Sequence, residues 1–219
     1  MEYPGFRFAL AITFGCVSFA AGCASMNQPY PAKQRFALMV EREQAASTPL
    51  DSRTLRVREF NVAPPYHELA FVYRKGDSEF ETDYYREFIA PPATLLTSQA
   101  IAWLSGGHLF GKVLSGTSAA DNEYLLEATV TALYGDYRNR SAPEAVMELQ
   151  VFVLVEQATL TNVVFDRTYR QQAPIRGAEP ADLVNGWKEA LRAILTELEG
   201  DLRADVLPHT AASTKSSTG

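Results

Sequence analysis

The sequence predicts an α/β (α+β) fold in a single domain: a mixed β-sheet with a central and a C-terminal helix packed against it. Three observations predict it. Tyr124 to Tyr134 and Val146 to Gln157 both alternate at period two, with Tyr124, Leu126, Ala128, Val130 and Ala132 on one face of the first and Met147, Leu149, Val151, Val153 and Val155 on one face of the second. From Pro180 onward, Leu183, Val184, Trp187, Ala190, Leu191, Ile194, Leu195 and Leu198 recur at three- and four-residue intervals, the stripe of an amphipathic helix lying on a sheet. Elsewhere short strand patterns outnumber helical ones, which favours one mixed sheet over a bundle.

The elements follow in order. Phe36 to Glu41 and Thr54 to Phe60 read as strands; in the second, Leu55 and Val57 alternate with Arg56 and Arg58, and Pro64-Pro65 ends it. A short turn from Tyr66 to Leu69 leads to a strand at Ala70 to Arg74, and Gly76-Asp77 predicts a hairpin into Glu79 to Tyr84. Pro91-Pro92 suits the first turn of a helix over about 92 to 105, stopped by a glycine cap at Gly106-Gly107. A short strand is expected at Leu109 to Leu114. The two long strands then form a hairpin across Gly135-Asp136 and an Arg/Asn-rich loop. Asn162 to Gln172 is a further strand, with Val163, Phe165 and Tyr169 on one face and Asp166 and Arg170 on the other. Gly200 terminates or interrupts the last helix.

The N-terminus sets the address. Phe8 to Ala21 is an apolar run of 14 residues, shorter than the roughly 20 needed to span a bilayer core and suited to the h-region of an export signal. It ends in Ala20-Ala21-Gly22-Cys23, small residues before a thiol, the ending of a bacterial lipoprotein signal. Residues 1–22 are therefore expected to be removed by cleavage between Gly22 and Cys23, and Cys23 to be lipidated. Cys16, preceded at a small-residue position by Phe14, is the poorer candidate. Residues 23–35, polar and proline-punctuated, read as a tether, residues 36–207 as the folded domain, and residues 208–219 as a disordered tail without apolar periodicity.

With Cys23 acylated and Cys16 removed, no disulfide is available and the fold rests on its core. The 47% hydrophobic composition suffices for one. The signal carries only Glu2 and Arg7, so the formal net charge stays at −6 after cleavage, which argues against a nucleic-acid surface.

Catalytic patterns are few. Gly106 to Lys112 has the spacing of a phosphate-binding loop, but Val113 stands where magnesium needs Ser or Thr, and the segment follows a predicted helix instead of a strand. His67, His108 and His209 lie in three separate segments with no ligand spacing, and no Gly-x-Ser-x-Gly surrounds any serine. Asn139-Arg-Ser141 fits a glycosylation sequon, which is empty behind a bacterial lipoprotein signal. No enzyme, metal or cofactor is expected beyond the covalent lipid on Cys23. Aromatic residues concentrate between Tyr66 and Phe88, mostly as core or cross-strand side chains, with Arg74 and Arg86 among them. Because aromatic and Arg side chains dominate binding hot spots, Tyr66, Tyr73, Arg74, Tyr85 and Arg86 are the partner-contact candidates.

Taken in order after the lipobox, several segments carry a resemblance to a known family. They are Leu55-Arg-Val-Arg-Glu-Phe60, Pro65-Tyr66 with Phe71-Val-Tyr-Arg74, Tyr85-Arg-Glu-Phe-Ile-Ala-Pro-Pro-Ala-Thr-Leu-Leu96, Trp103-Leu with Leu109-Phe-Gly-Lys-Val113, and Trp187-Lys-Glu-Ala-Leu191. Over roughly residues 36 to 200 the chain resembles the ABC-type transport auxiliary lipoprotein family, which includes PqiC-type lipoproteins. The resemblance implies a periplasm-facing lipoprotein anchored in the outer membrane, with Ala24 after the lipidated cysteine consistent with that destination. It implies partnership with an MCE-domain protein and, through it, an ABC permease and ATPase that move lipids or hydrophobic compounds across the envelope. It further implies possible self-assembly into a homo-oligomeric ring. The expected role is a docking subunit. The alternatives are a lipid carrier with its own apolar pocket, an envelope hydrolase or nucleotide-dependent enzyme, and a scaffold lipoprotein of another envelope machine.

Overall fold

The structure, a computed structural model, describes residues 31–42, 48–157 and 160–208. In chain order these form β1 (Gln34–Phe36), β2 (Thr54–Val57), β3 (Asn61–Val62), a 3-10 turn at Pro64–Tyr66, β4 (Ala70–Arg74), β5 (Phe80–Phe88), α1 (Pro92–Gly107), β6 (Lys112–Ser115), β7 (Tyr124–Asp136), β8 (Glu144–Gln157), β9 (Leu160–Pro174) and α2 (Pro180–Asp201). The signal, its cleavage site, Cys23 and the tail from residue 209 lie outside the described residues.

β7 organises the sheet because its two edges are used differently. One edge pairs along its whole length with β8, antiparallel, and β8 pairs in turn with β9. The other edge receives three short strands in succession, all parallel to it: β2 at Tyr124 to Leu126, β3 at Thr129 and Val130, and β4 at Gly135 and Asp136. The sheet forks beyond them, with β6 parallel to β2 on one branch and β5 then β1 beside β4 on the other.

Both helices pack on one face. α2 buries Leu183, Val184, Trp187, Ala190, Leu191, Ile194, Leu195 and Leu198 against β8 and β9. Its first turn is fixed by Pro180 and by the Glu179 N–H, which donates to Asp182 Oδ2 at 3.0 Å. Trp187 is fully buried, edge-on to Phe71 at 5.0 Å and 5.3 Å from Phe88. α1 contributes Leu96, Ala100, Trp103 and Leu104 to the same core.

Several expected boundaries move for identifiable reasons. The first strand is Gln34–Phe36, taking in the last two residues of the expected tether; beyond Phe36 the chain leaves the sheet for α1, where the Val40 N–H donates to Gln99 Oε1 at 2.9 Å. The second strand stops at Val57, because the Phe60 N–H turns away to Thr97 Oγ1 at 2.9 Å and sends the Phe60 ring into the core. β5 runs on to Phe88 and not only to Tyr84. The short strand after α1 begins at Lys112 instead of Leu109. The α1 cap is His108, left-handed at φ 48°, a conformation that His tolerates better than most residues; Gly107 remains helical. Gly200 stays inside α2, which continues through a π-turn at Leu202–Val206. The loop-like match at Gly106 to Lys112 leaves a helix and enters a strand.

Two β-bulges change which side chains face the core. One lies between Val130 and Ala132 and moves Ala132 to the face opposite Val130, with Leu133 taking the core side. The other falls opposite Val153 and Leu154, so Phe165 stays inside while Val163 turns outward, 58% exposed.

Candidate docking surface

Among the described residues no helix covers the opposite face of the sheet, and its side chains can be read from the ladder. At one end a single row crosses five strands in register: Leu114 on β6, Arg56 on β2, Leu125 on β7, Leu154 on β8 and Val163 on β9. Four of the five are apolar on the side that alternation ordinarily gives to solvent. Arg56 donates through Nη2 to the Ala120 carbonyl, while its buried Nε has no hydrogen-bond partner among the described residues.

At the other end the same face carries an aromatic and arginine cluster. Tyr66, raised on the 3-10 turn, stacks on Tyr134 of β7 with centroids 6.0 Å apart and planes at 24°. Phe80 of β5 stands edge-on to Tyr134 at 5.6 Å and remains 46% exposed, with the Arg74 guanidinium 5.6 Å from its ring centroid. Arg170 of β9 donates to Tyr134 Oη at 3.1 Å and to Glu148 Oε2 at 2.8 Å, and Thr131 Oγ1 donates to Glu148 Oε1 at 2.7 Å. Burial pushes the Glu148 carboxyl up, but the Arg170 guanidinium and the Thr131 hydroxyl hold it below its ordinary value; burial likewise raises the Tyr66 phenol. Tyr66 and Tyr134 are buried, so the ring this cluster presents to solvent is Phe80, held in place by Tyr134 beneath it, which reduces the ordering cost of binding.

The sequence-derived candidates divide between the two faces. Tyr66 and Arg74 belong to the cluster. Tyr73 pairs with Gly135 and points to the helix side, where its hydroxyl donates to Asp83 Oδ2 at 2.7 Å and its ring stands edge-on to Tyr137 at 5.6 Å. Asp83 staples an irregularity in β5: its Oδ1 accepts from the N–H of Tyr85 at 2.8 Å and of Arg86 at 3.0 Å, and its Oδ2 from Arg86 Nη1 at 3.1 Å. Burial pushes Asp83 up, yet the bonds from Tyr73, Tyr85 and Arg86 outweigh it and leave the carboxyl below its usual value. Tyr73 and Arg86 therefore serve the fold, and Tyr85 contributes a ring edge-on to Tyr84 at 5.0 Å.

Sequence reasoning did not single out Tyr134, Phe80, Arg170 or the Leu125–Leu154 row as contacts. The available signal was apolar character at both parities of the long strands, with Leu125 and Tyr134 in β7 and Phe152 and Leu154 in β8.

The clefts have mixed polar and apolar linings. One of about 640 Å³ is lined by Arg42, Trp103, Arg192, Thr196, Glu199, Gly200 and Arg203. In another, of about 470 Å³, Ile101 is the one aliphatic lining residue among threonines, serines, Arg58, Glu59 and Gly116. Among the described residues no group of three or more His, Cys, Asp or Glu side chains is placed to hold a metal ion, and no helix is long and apolar enough to cross a membrane.

Comparison with solved structures gives the fold a precedent. Protein XCC0632 from Xanthomonas campestris, described by the DUF330 family model, superposes with a TM-score of 0.71 over 81% of this chain and 99% of its own, at 20% identity. This chain has the fold of a DUF330 protein. An uncharacterised protein superposes with a TM-score of 0.54 over 76% of this chain and 99% of its own, at 18% identity. No family model matches the sequence, and no curated protein matches it.

Proposed function

We propose that this chain is a lipid-anchored, periplasm-facing lipoprotein of the outer membrane, acting as a non-catalytic docking subunit for an MCE-domain protein of an ABC-type transport system. The observation that carries the docking role is the sheet face opposite the helices, where Phe80 stands exposed against Tyr134 beside Arg74 and Arg170. Cys23 behind Ala20-Ala21-Gly22 supports the anchor, and the ordered segments shared with PqiC-type lipoproteins support the transport partner. The DUF330 fold is in keeping with both. Lipids or other hydrophobic compounds are then conducted by the partner, and this subunit positions the end of that conduit at the membrane. Among the described residues β9 pairs with β8 alone, and an outer edge of this kind can take a further strand, which supports assembly into a ring.

Labelled palmitate incorporation tests the anchor: wild type takes up label and Cys23→Ser does not. Co-purification from membranes tests the partner. An MCE-domain protein retained by wild type supports the proposal, and unlabelled chain or absence of that protein overturns it.

A further inference from the structure

Three of the seven large apolar side chains exposed among the described residues, Met39, Tyr84 and Ile89, flank the β1–β5 pairing in the chain. Tyr84, 72% exposed, and Ile89, 59% exposed, lie on and just after β5 where it pairs with β1, and Met39, 62% exposed, follows β1 by three residues. β1 is the outermost strand of its branch, with Gln34 to Phe36 opposite Arg86 to Phe88 and the Ile89 N–H donating to the Phe36 carbonyl at 2.9 Å. Basic side chains surround these residues. The Lys33 ammonium sits 5.1 Å from the Tyr84 ring centroid and 3.0 Å from Glu87 Oε2, and Arg35 Nε lies 2.8 Å from Glu87 Oε1. Lys33 and Arg35 share the single carboxylate of Glu87, which leaves one cation in excess here in a chain whose net charge is −6.

We propose that this β1–β5 corner rests on the bilayer itself, with Tyr84 and Ile89 in the headgroup region and Lys33 and Arg35 facing lipid phosphates. The proposal depends on the lipid anchor at Cys23 proposed above. Lys33 is ten residues from Cys23 in the sequence, so β1 is the strand nearest the anchor along the chain. A tyrosine, an aliphatic side chain and long basic side chains together are the set that settles at a membrane interface, since each has an apolar body and a polar tip. A locally positive corner on an otherwise negative domain also turns that corner, and not another, toward an anionic surface. The domain then stands on its β1 edge, with β9 at the far side of the sheet, five strands away.

The test uses the lipidated chain in vesicles of phosphatidylethanolamine and phosphatidylglycerol. Tyr84→Cys, Ile89→Cys and, as control, Lys112→Cys on exposed β6 are each labelled with an environment-sensitive fluorophore; acylated Cys23 does not react. The expected result is a blue shift with vesicles at positions 84 and 89, and quenching there by brominated lipid, with neither at 112. Equal emission at all three positions, while the protein still floats with the vesicles, would overturn the contact and leave the anchor standing. Loss of flotation would overturn both. A shift that grows with protein concentration in detergent would assign the corner to a second protein surface and also overturn the proposal.

Discussion

The Glu199 carboxylate on α2 accepts a hydrogen bond from Arg42 Nη2 at 3.0 Å and another from Arg42 Nη1, joining residues 157 positions apart in the chain. The same carboxylate accepts from Trp103 Nε1 at 3.1 Å and from Arg203 Nη2 at 3.2 Å, and the Arg42 guanidinium lies 5.3 Å from the Trp103 ring centroid. One buried side chain thus fastens α1, α2 and the segment that follows β1. Burial pushes Glu199 up, but Arg42 outweighs it and the carboxyl lies below its ordinary value.

Glu199→Ala removes the acceptor of the buried Trp103 indole N–H and the carboxylate that Arg42 and Arg203 share, so it lowers stability by about 1–3 kcal/mol. Urea unfolding followed by tryptophan fluorescence measures it. A midpoint equal to wild type would show that the junction contributes nothing.

Asp83, Asp136, Glu148 and Glu199 are all held below their ordinary values in the folded state. Depressed carboxyls bind fewer protons folded than unfolded, so their contribution is full above the unfolded value near 4 and declines as pH falls through the folded values. The thermal midpoint is therefore expected to be flat from pH 7 to about 5 and to drop below about 4. Asp83→Asn removes one of these groups and makes the drop shallower. A midpoint unchanged down to pH 3 would contradict this assignment.

Two glycines of α2 respond in opposite directions to the same substitution. A Cβ on Gly186 would meet the Ala145 Cβ at 2.6 Å, a contact that no rotamer change relieves, so Gly186→Ala pushes α2 off β8 and costs about 1–2 kcal/mol. A Cβ on Gly200 meets nothing within 4 Å, so Gly200→Ala gains about 0.5–1 kcal/mol of helix propensity. Chemical denaturation of the pair distinguishes them, and equal shifts would show that α2 does not sit this close to β8.

The long elements were legible because each carries its period over many residues: β7, β8 and α2 lie where alternation and the three-four repeat put them. What periodicity could not show is an added residue. The bulge after Val130 turns Ala132 to the other face of the sheet, where it is still buried, and the bulge beside Leu154 turns Val163 out, because a two-residue repeat inverts whenever one residue is inserted. The docking surface was half legible for a related reason. Tyr73 and Arg74 are adjacent and so face opposite sides of β4, which divides the candidates, while Phe80 and Tyr134 meet only because the sheet forks beside β7. No local pattern encodes that meeting.

The central claim is that the uncovered sheet face receives the partner. Its most direct test is the affinity of the lipidated full chain for the MCE-domain protein, compared with Phe80→Ala and Val163→Asp, both at exposed positions. Removing a ring from a hot spot costs about 1.4–3 kcal/mol of binding, so at least a roughly tenfold weaker Kd is expected for Phe80→Ala, with its urea midpoint close to wild type. Wild-type affinity in both variants, or no binding by the wild-type chain, would contradict the account.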